Sequence, residues 1–299
     1  MILTLLLALL AITSSAIRYS FLPELIFLTK PLHETCLNLL PHSLKTTASL
    51  QALVCGRNFQ SLEAAKIYTS AGLIHLFVVS GSHLILIHKF IEFIFVKLGF
   101  KKAELYGLLV LFFYAAICEF NAPVTRSFIG LVFVYRLKME HKYWHKDFVL
   151  MIVGFFCLIL CSTWVHSLSL QMSWLAALGI IINDRTLKYK NKLMKQLPFY
   201  ILYSLTFSCL GFPQVCTVVI ALFFTPVLEF ILLPLAFLVL LFPFLNSVFE
   251  VVLNITNQIL SKMELSTSTE LTNIETTIFL NWIFILSLHI YLYFNRKKT

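Results

Sequence analysis

Apolar stretches of about 20 residues follow one another along most of this chain, separated by short turns that carry charged residues. A stretch of this length can cross a bilayer as one α-helix, because only a helix satisfies its own backbone N–H and C=O groups in lipid. Hydrophobic residues make up 59% of the 299-residue chain, and its mean hydropathy is +0.88, far above the range of soluble domains. The sequence therefore predicts an all-α, polytopic helical membrane protein with roughly eight to ten membrane segments, some of them broken helices.

The same pattern divides the chain into four parts. Residues 1–17 are uncharged and apolar, and no basic residue precedes them to favour a cleaved signal, so we expect an N-terminal membrane anchor. Residues 18–70 are predicted to be a short outward-facing segment with amphipathic helices. Residues 71–245 hold the main bundle, in which spans are expected over residues 122–137 and 147–165 among others, and residues 246–299 comprise an amphipathic segment, a polar loop and the last transmembrane helix.

Basic residues concentrate at turns that should lie on one side of the membrane. If the spans alternate, the turns after Phe100, Leu137 and Ile182 share a side with the C-terminal tail, and these places hold 15 of the 23 basic residues. Cytoplasmic loops carry such an excess, which also explains the net charge of +9 better than an anionic partner does. We therefore predict a multi-pass protein of the inner (plasma) membrane with a cytoplasmic C-terminus. The residues are Lys97, Lys101, Lys102, Arg136, Lys138, Lys142, Lys146, Arg185, Lys188, Lys190, Lys192, Lys195, Arg296, Lys297 and Lys298.

The cysteines point to a disulfide rather than to a metal site. Cys36 and Cys55 both fall in the outward-facing segment, and we predict that they are linked if that segment faces an oxidising compartment. The chain has no CxxC pair, no Cys/His spacing typical of metal ligands, and no phosphate-binding loop or protease motif. We expect no metal, no cofactor and no enzymatic activity.

Residues 68–89, YTSAGLIHLFVVSGSHLILIHK, place two histidines and a Ser-Gly-Ser sequence near the middle of an apolar run. An unpaired polar group in lipid costs several kcal/mol, so this segment should face protein or water, and glycine between two serines favours a break in the helix. The alternative is that both histidines are core residues bonded to neighbouring carbonyls. We interpret the stretch as the core of a pore or binding site formed by Gly72, His75, Ser80, Gly81 and His83.

Two further polar groups lie inside apolar spans. In CEFNAPVTRSF, Pro123 suits the first turn of a helix and Arg126 follows about one turn inside the outer interface, where it could contact phosphate or pair with Glu119. In HSLSLQMSWLAALGI, polar residues recur at every second position up to Gln171 and Ser173. They cannot all share one helix face, so some can serve helix packing alone.

These three groups, in this order, resemble the competence domain of the ComEC family, the inner-membrane channel for single-stranded DNA in natural transformation. The family pattern a-G-l-x-H-l-l-a-i-S-G-l-H is similar to AGLIHLFVVSGSH at residues 71–83, with Ser82 in place of an apolar residue. Its P-x-x-R element resembles residues 123–126, and its f-q-L-S-F-x-A element resembles LQMSWLA at residues 170–176. Upstream, Arg57 stands where the family has an acid.

The resemblance implies that residues 71–245 form a competence-type channel domain and that the polar groups line the translocation path. The implied partners are single-stranded DNA and the lipid bilayer, with a separate DNA receptor, nuclease and cytoplasmic motor, because no counterpart of the OB-like or nuclease domains of many members is present. The sequence does not predict an oligomeric state. The alternative function is a small-molecule or proton-coupled secondary transporter, with His75 or His83 as the proton carrier. The residues assigned to the path are Gly72, His75, Ser80, Gly81, His83, Pro123, Arg126, Gln171 and Ser173.

Overall fold

The structure is a computed structural model that describes residues 2–17, 19–41, 46–57, 68, 79, 81–186, 223–224, 227–262 and 274–295. Every element defined in these residues is helical, which confirms the all-α prediction for the described part of the chain. Short 3₁₀ turns occur at Ser162–His166 and Pro243–Leu245, and a π turn occurs at Leu228–Leu232. The α-helices are α1 (Ile2–Ala16), α2 (Leu22–Leu39), α3 (Thr47–Cys55), α4 (Gly81–Lys97), α5 (Ala103–Ile117), α6 (Ala122–Met139), α7 (Lys146–Leu160), α8 (Leu168–Thr186), α9 (Leu233–Leu241), α10 (Asn246–Lys262) and α11 (Ile274–Phe294).

The chain folds into two compact units, each assembled from segments that are distant in sequence. The first unit consists of Met1–Glu24, Thr125–Gly211 and Glu270–Thr299. The second consists of Leu25–Val124 and Phe212–Thr269. The boundary between Val124 and Thr125 falls inside α6, so most of that helix belongs to the first unit.

The core of the first unit forms where α6 packs against α7. Val149, Val153 and Cys157 are buried and lie four residues apart, so they form one ridge along α7. The partly buried residues packed against this ridge also repeat every four residues along α6, and ridges of this spacing interdigitate between neighbouring helices. They are Ile129, Phe133 and Leu137 of α6, together with Trp164 of the following 3₁₀ turn.

A short backbone bridge ties the N-terminal helix into the first unit. The Tyr19 N–H donates to Ser162 Oγ at 2.7 Å, the Ser162 N–H donates to the Tyr19 carbonyl at 3.0 Å, and Ser20 pairs with Cys161 in an isolated β-bridge. The apolar span expected over residues 147–165 is interrupted for this reason. Cys161 adopts extended backbone to form the bridge, so α7 ends at Leu160.

Three cross-links hold the second unit together at the end of α5. Cys36 of α2 and Cys55 of α3 form a disulfide with their Cα atoms 6.0 Å apart. His33 Nδ1, one turn before Cys36, donates to the Ile117 carbonyl at 2.7 Å. Asn121 Nδ2 donates to the Gly56 carbonyl at 3.0 Å, so the turn that follows α5 rests on the C-terminus of α3.

Gly56 is required by the backbone and by its surroundings. Its φ of +73° lies in the left-handed region, which glycine adopts without the steric cost that a Cβ imposes. A Cβ at this position would also lie 3.0 Å from the Cβ of Cys118. The close approach of α3 to the turn after α5 therefore depends on the missing side chain.

By length and composition, α11 is the one helix of the described residues that could cross a membrane unaided, over Glu275–Phe294. Shorter apolar helices occur at Thr4–Ser14, Ala103–Ile117, Leu168–Ile182 and Leu228–Leu241. The predicted polytopic arrangement therefore remains a prediction for this chain. Large apolar side chains are nevertheless exposed on many helices, and examples are Leu9, Phe27, Phe90, Leu109, Phe113 and Phe279.

Reduction of the Cys36–Cys55 bond should destabilise the second unit by about 3 kcal/mol, because the bond closes a loop of about 20 residues in the unfolded chain. The measurement is the melting temperature of the detergent-solubilised protein with and without reductant. A variant with Cys36 and Cys55 both replaced by serine is the control, and reductant should leave its melting temperature unchanged. Full maleimide labelling of both cysteines in the folded, unreduced protein would contradict the pairing.

Candidate functional site

A cation held by hydroxyl groups lies between two helices of the first unit. Arg126 is the fifth residue of α6, and its Nε and Nη2 donate to Ser173 Oγ of α8 at 3.0 and 2.9 Å. The neighbouring Ser127 Oγ accepts a longer bond from Nη2 at 3.3 Å. Arg126 is half-buried, so its guanidinium is positioned by protein groups while part of the side chain stays accessible.

No carboxylate of the described residues pairs with Arg126. Its hydrogen bonds go to the hydroxyls of Ser173 and Ser127, so the ion pair that the sequence left open is not what the described residues form. A hydroxyl oxygen accepts a hydrogen bond but carries no net charge, and so it orients the guanidinium without neutralising it. The second amino group, Nη1, makes no hydrogen bond within the described chain. This geometry leaves a fixed cation with donors available for an anion such as a phosphate.

Gln171 fixes the rotation of α8 about its axis. Its side chain is fully buried, and Nε2 donates to the carbonyl oxygens of Val165 and Ile278, each at 3.2 Å. Its Oε1 accepts from Asn281 Nδ2 of α11 at 3.1 Å. Since a buried amide without partners is costly, these bonds hold α8 in one orientation against α11 and the 3₁₀ turn.

Trp174, next to Ser173, provides a second lock on α8. Its Nε1 donates to His289 Nε2 at 3.0 Å, and its ring meets Trp282 edge to face at 5.5 Å between centroids. A Cβ placed on Gly154 of α7 would overlap the Trp174 ring. Trp174 is therefore packed between α7 and α11. Because these contacts fix the orientation of α8, the neighbouring Ser173 side chain points toward α6.

The polar residues of α8 point in different directions around the helix, as their alternating spacing predicts. Ser167 and Ser169 are hydrogen-bonded to each other at 2.8 Å near the exposed start of the helix, and Ser167 Oγ also accepts from the Leu170 N–H. Gln171 is directed at α11, and Ser173 is directed at α6. Only Ser173 of this set joins Arg126.

The other assigned path residues belong to the second unit or lie outside the described residues. α4 begins at Gly81, at the predicted break, and His83 is buried two residues later. Pro123 is the second residue of α6 and is also buried, as expected for proline in a first helical turn. Gly72, His75 and Ser80 lie outside the described residues. Their assignment to a translocation path remains a prediction.

Sequence reasoning missed the residues of α11 that support this site. Asn281, Trp282 and His289 bond to Gln171, the Val165 carbonyl and Trp174, respectively. The signal was present, because an amide and an imidazole inside an otherwise apolar span indicate a buried polar contact. An offset of seven residues also places Trp282 and His289 on the same face of α11.

Comparison with known proteins gives one family. A family model described as Competence protein matches residues 53–297. No curated protein and no solved structure matches the chain. The matched region contains Arg126, Gln171 and Ser173, and it also contains the supporting residues of α11.

Gly154→Ala should destabilise the first unit by about 1 to 3 kcal/mol, because the added methyl group overlaps the Trp174 ring in a filled interface. Gly130→Ala on α6 is the matched control. A Cβ there meets nothing within 4 Å, and alanine in a helix interior is favoured over glycine by about 0.5 to 1 kcal/mol. The measurement is the melting temperature of both variants in detergent, and equal values would contradict the seating of Trp174 on Gly154.

Proposed function

This chain belongs to the competence protein family, which indicates a role in DNA uptake, and on that premise we propose that it translocates single-stranded DNA across the inner membrane during natural transformation. The observation that carries the proposal is the Arg126–Ser173 pair, a fixed cation without a carboxylate partner in the described residues. Each nucleotide of a single strand brings one phosphate anion, which cannot enter hydrocarbon without a counter-charge. Arg126 would neutralise phosphates in turn as the strand moves past.

The direction of the helices in the first unit supports a mouth at the Arg126 end. Gln171 and Trp174 of α8 bond in sequence order to Asn281 and His289 of α11, so these two helices run parallel. α8 begins at Leu168, five residues before Ser173, and α6 begins at Ala122, four residues before Arg126. The N-termini of both helices therefore lie at the end of the unit that holds Arg126. Helix N-termini carry partial positive charge, which adds to the attraction for phosphate.

The opposite end of the same unit carries exposed cations on both sides of the loop between α6 and α7. Lys146 pairs with Asp184 near the end of α8 at 2.8 Å, and Arg136 is exposed on the last turn of α6. The basic tail predicted to be cytoplasmic follows α11, which ends in the same direction as α8. This distribution supports the multi-pass topology that we propose, with the basic end in the cytoplasm.

The described residues contain neither a nuclease signature nor a nucleotide-binding motif. We therefore propose that the protein acts with a separate DNA receptor, a nuclease that supplies the single strand and a cytoplasmic motor that pulls it. Under this proposal the chain contributes the membrane path. The energy for movement comes from the motor or from strand binding on the cytoplasmic side.

Arg126→Ala should lower the arrival of labelled strands in the cytoplasm about tenfold, since one charge-assisted contact contributes about 1.5 kcal/mol. Arg126→Lys should restore most of this loss, because neutralising a phosphate requires only a charge. Lys30→Ala is the control, since it removes an exposed cation of α2 that pairs with Glu34 at 3.7 Å. Cytoplasmic and surface-bound DNA are counted separately at matched protein abundance. Wild-type arrival in Arg126→Ala would remove Arg126 from the path.

Reporter fusions should place Lys102 and Lys142 on the cytoplasmic side and Asn121 on the outer side. The physical reason is that α5 and α6 follow each other through the short turn at Cys118–Asn121, while the basic residues lie at their far ends. Alkaline phosphatase, active only outside, and a green fluorescent protein, fluorescent only inside, are fused at each position. The same signal at all three positions would refute the alternation of spans.

A further inference from the structure

The loop between α6 and α7 exposes a tyrosine and anchors the tryptophan beside it. Tyr143 is 86% exposed, more than any other large apolar or aromatic side chain of the described residues. The ring of Trp144 packs against Phe133 of α6 and Phe148 of α7, with centroids 5.4 and 5.3 Å away. Trp144 therefore fastens the loop to the helices, and Tyr143 projects from it.

The backbone of this loop is fixed at both ends. The Lys142 N–H donates to the Leu137 carbonyl at 2.9 Å, and the Phe148 and Val149 N–H groups both donate to the His145 carbonyl at 3.0 Å. His141 adopts a φ of +51°, in the left-handed region that is uncommon for residues other than glycine. Tyr143 is thus presented by a constrained turn, and little conformational entropy is lost when its ring is covered.

The loop carries a positive excess that its acidic residue does not cancel. Glu140 lies between Lys142 and Arg136, at 2.9 and 3.0 Å. The hydrogen bond from Lys142 lowers the pKa of the Glu140 carboxyl, so one full negative charge faces two cations. All three side chains are exposed, and a second anion can approach the same cations. His141 and His145, also exposed, flank Tyr143 on either side.

The loop lies at the far end of the helix that carries Arg126. The 13 residues that follow Arg126, up to Met139, extend α6 by about 20 Å at 1.5 Å per residue. A strand that passes Arg126 along this helix therefore arrives at residues 140–145. The same helix connects the two ends of the proposed path.

We propose that residues 140–145, together with Arg136 of the last turn of α6, form a receiving surface for single-stranded nucleic acid, with Tyr143 stacking on a base and Lys142 and Arg136 contacting the adjacent phosphates. Exposed aromatic rings interleaved with cations are the chemistry that binds single strands without sequence preference. This inference deepens the proposed function, on which it rests, because it names where the strand is first held after crossing.

A lipid headgroup layer is the competing partner, since tyrosine and lysine also occur at membrane interfaces. The structure favours nucleic acid because Trp144, the residue best suited to that layer, is held against Phe133 and Phe148 and is 37% exposed, whereas the ring presented to solvent is that of Tyr143, at 86%. The two partners also differ in what they require of residue 143. A base needs the flat face of a ring, whereas a headgroup layer accepts any apolar side chain of similar size.

The test compares Tyr143→Phe with Tyr143→Leu in the full-length protein, held in nanodiscs of neutral phosphatidylcholine. Binding of a short fluorescein-labelled oligo(dT) is followed by anisotropy, in wild-type and Arg126→Ala backgrounds so that binding near Arg126 does not mask the effect. Tyr143→Phe should bind as wild type does, and Tyr143→Leu should bind about tenfold more weakly, because one stacked base is lost. Lys142→Gln should reduce the slope of log affinity against log salt by about 0.7.

Three results would overturn the inference. The first is wild-type affinity of Tyr143→Leu, and the second is failure of a bromodeoxyuridine-substituted oligonucleotide to photocross-link to the peptide that contains residues 140–145. The third concerns vesicles that contain phosphatidylglycerol: Tyr143→Leu keeps its affinity for them and Tyr143→Ala loses it, while the affinity of both variants for oligo(dT) is unchanged. Any of these, combined with reduced DNA uptake in Arg126→Ala, rejects the receiving surface and leaves the proposed function in place. Normal uptake in Arg126→Ala rejects the proposed function instead.

Discussion

A buried amide fixes the helix that carries half of the candidate site. Gln171 has no access to solvent, so each of its polar atoms must find a protein partner, and it finds them in Val165, Ile278 and Asn281. These partners set the rotation of α8. Ser173, two residues later and about 200° around the helix, then has to face away from α11. That direction is where Arg126 lies in the first unit.

The choice of partner for Arg126 has a chemical consequence. A carboxylate would hold the guanidinium more strongly, but it would cancel the charge and compete with any incoming anion. The hydroxyls of Ser173 and Ser127 hold the group at 2.9 to 3.3 Å and leave its charge in place. The arrangement suits a site that must bind a succession of phosphates and release each one, because the cation is positioned while its affinity for any single phosphate stays moderate.

Hydropathy and turn chemistry located the helices well, and they failed where one segment depends on another. The span expected over residues 122–137 begins with proline in its first turn, and the observed helix starts at the same residue. The span expected over residues 147–165 is broken, because Cys161 pairs with Ser20, which lies about 140 residues earlier in the chain. Local periodicity cannot reveal such a partner. The role of Asn281 was missed for the same reason. An isolated amide in an apolar span predicts a buried hydrogen bond, but the local sequence does not identify its partner.

The dependence of Gln171 on the last helix also bears on how the protein is made. Asn281 follows Gln171 by 110 residues, so at about 5 to 20 residues per second the ribosome delivers it roughly 5 to 20 seconds later. During that interval α8 is complete while its amide and the indole of Trp174 have no partners from α11. The Arg126 site is therefore completed only once the nascent chain includes α11 as far as His289. A chain terminated anywhere before residue 274 would hold the cation and its serine without the helix that aligns them.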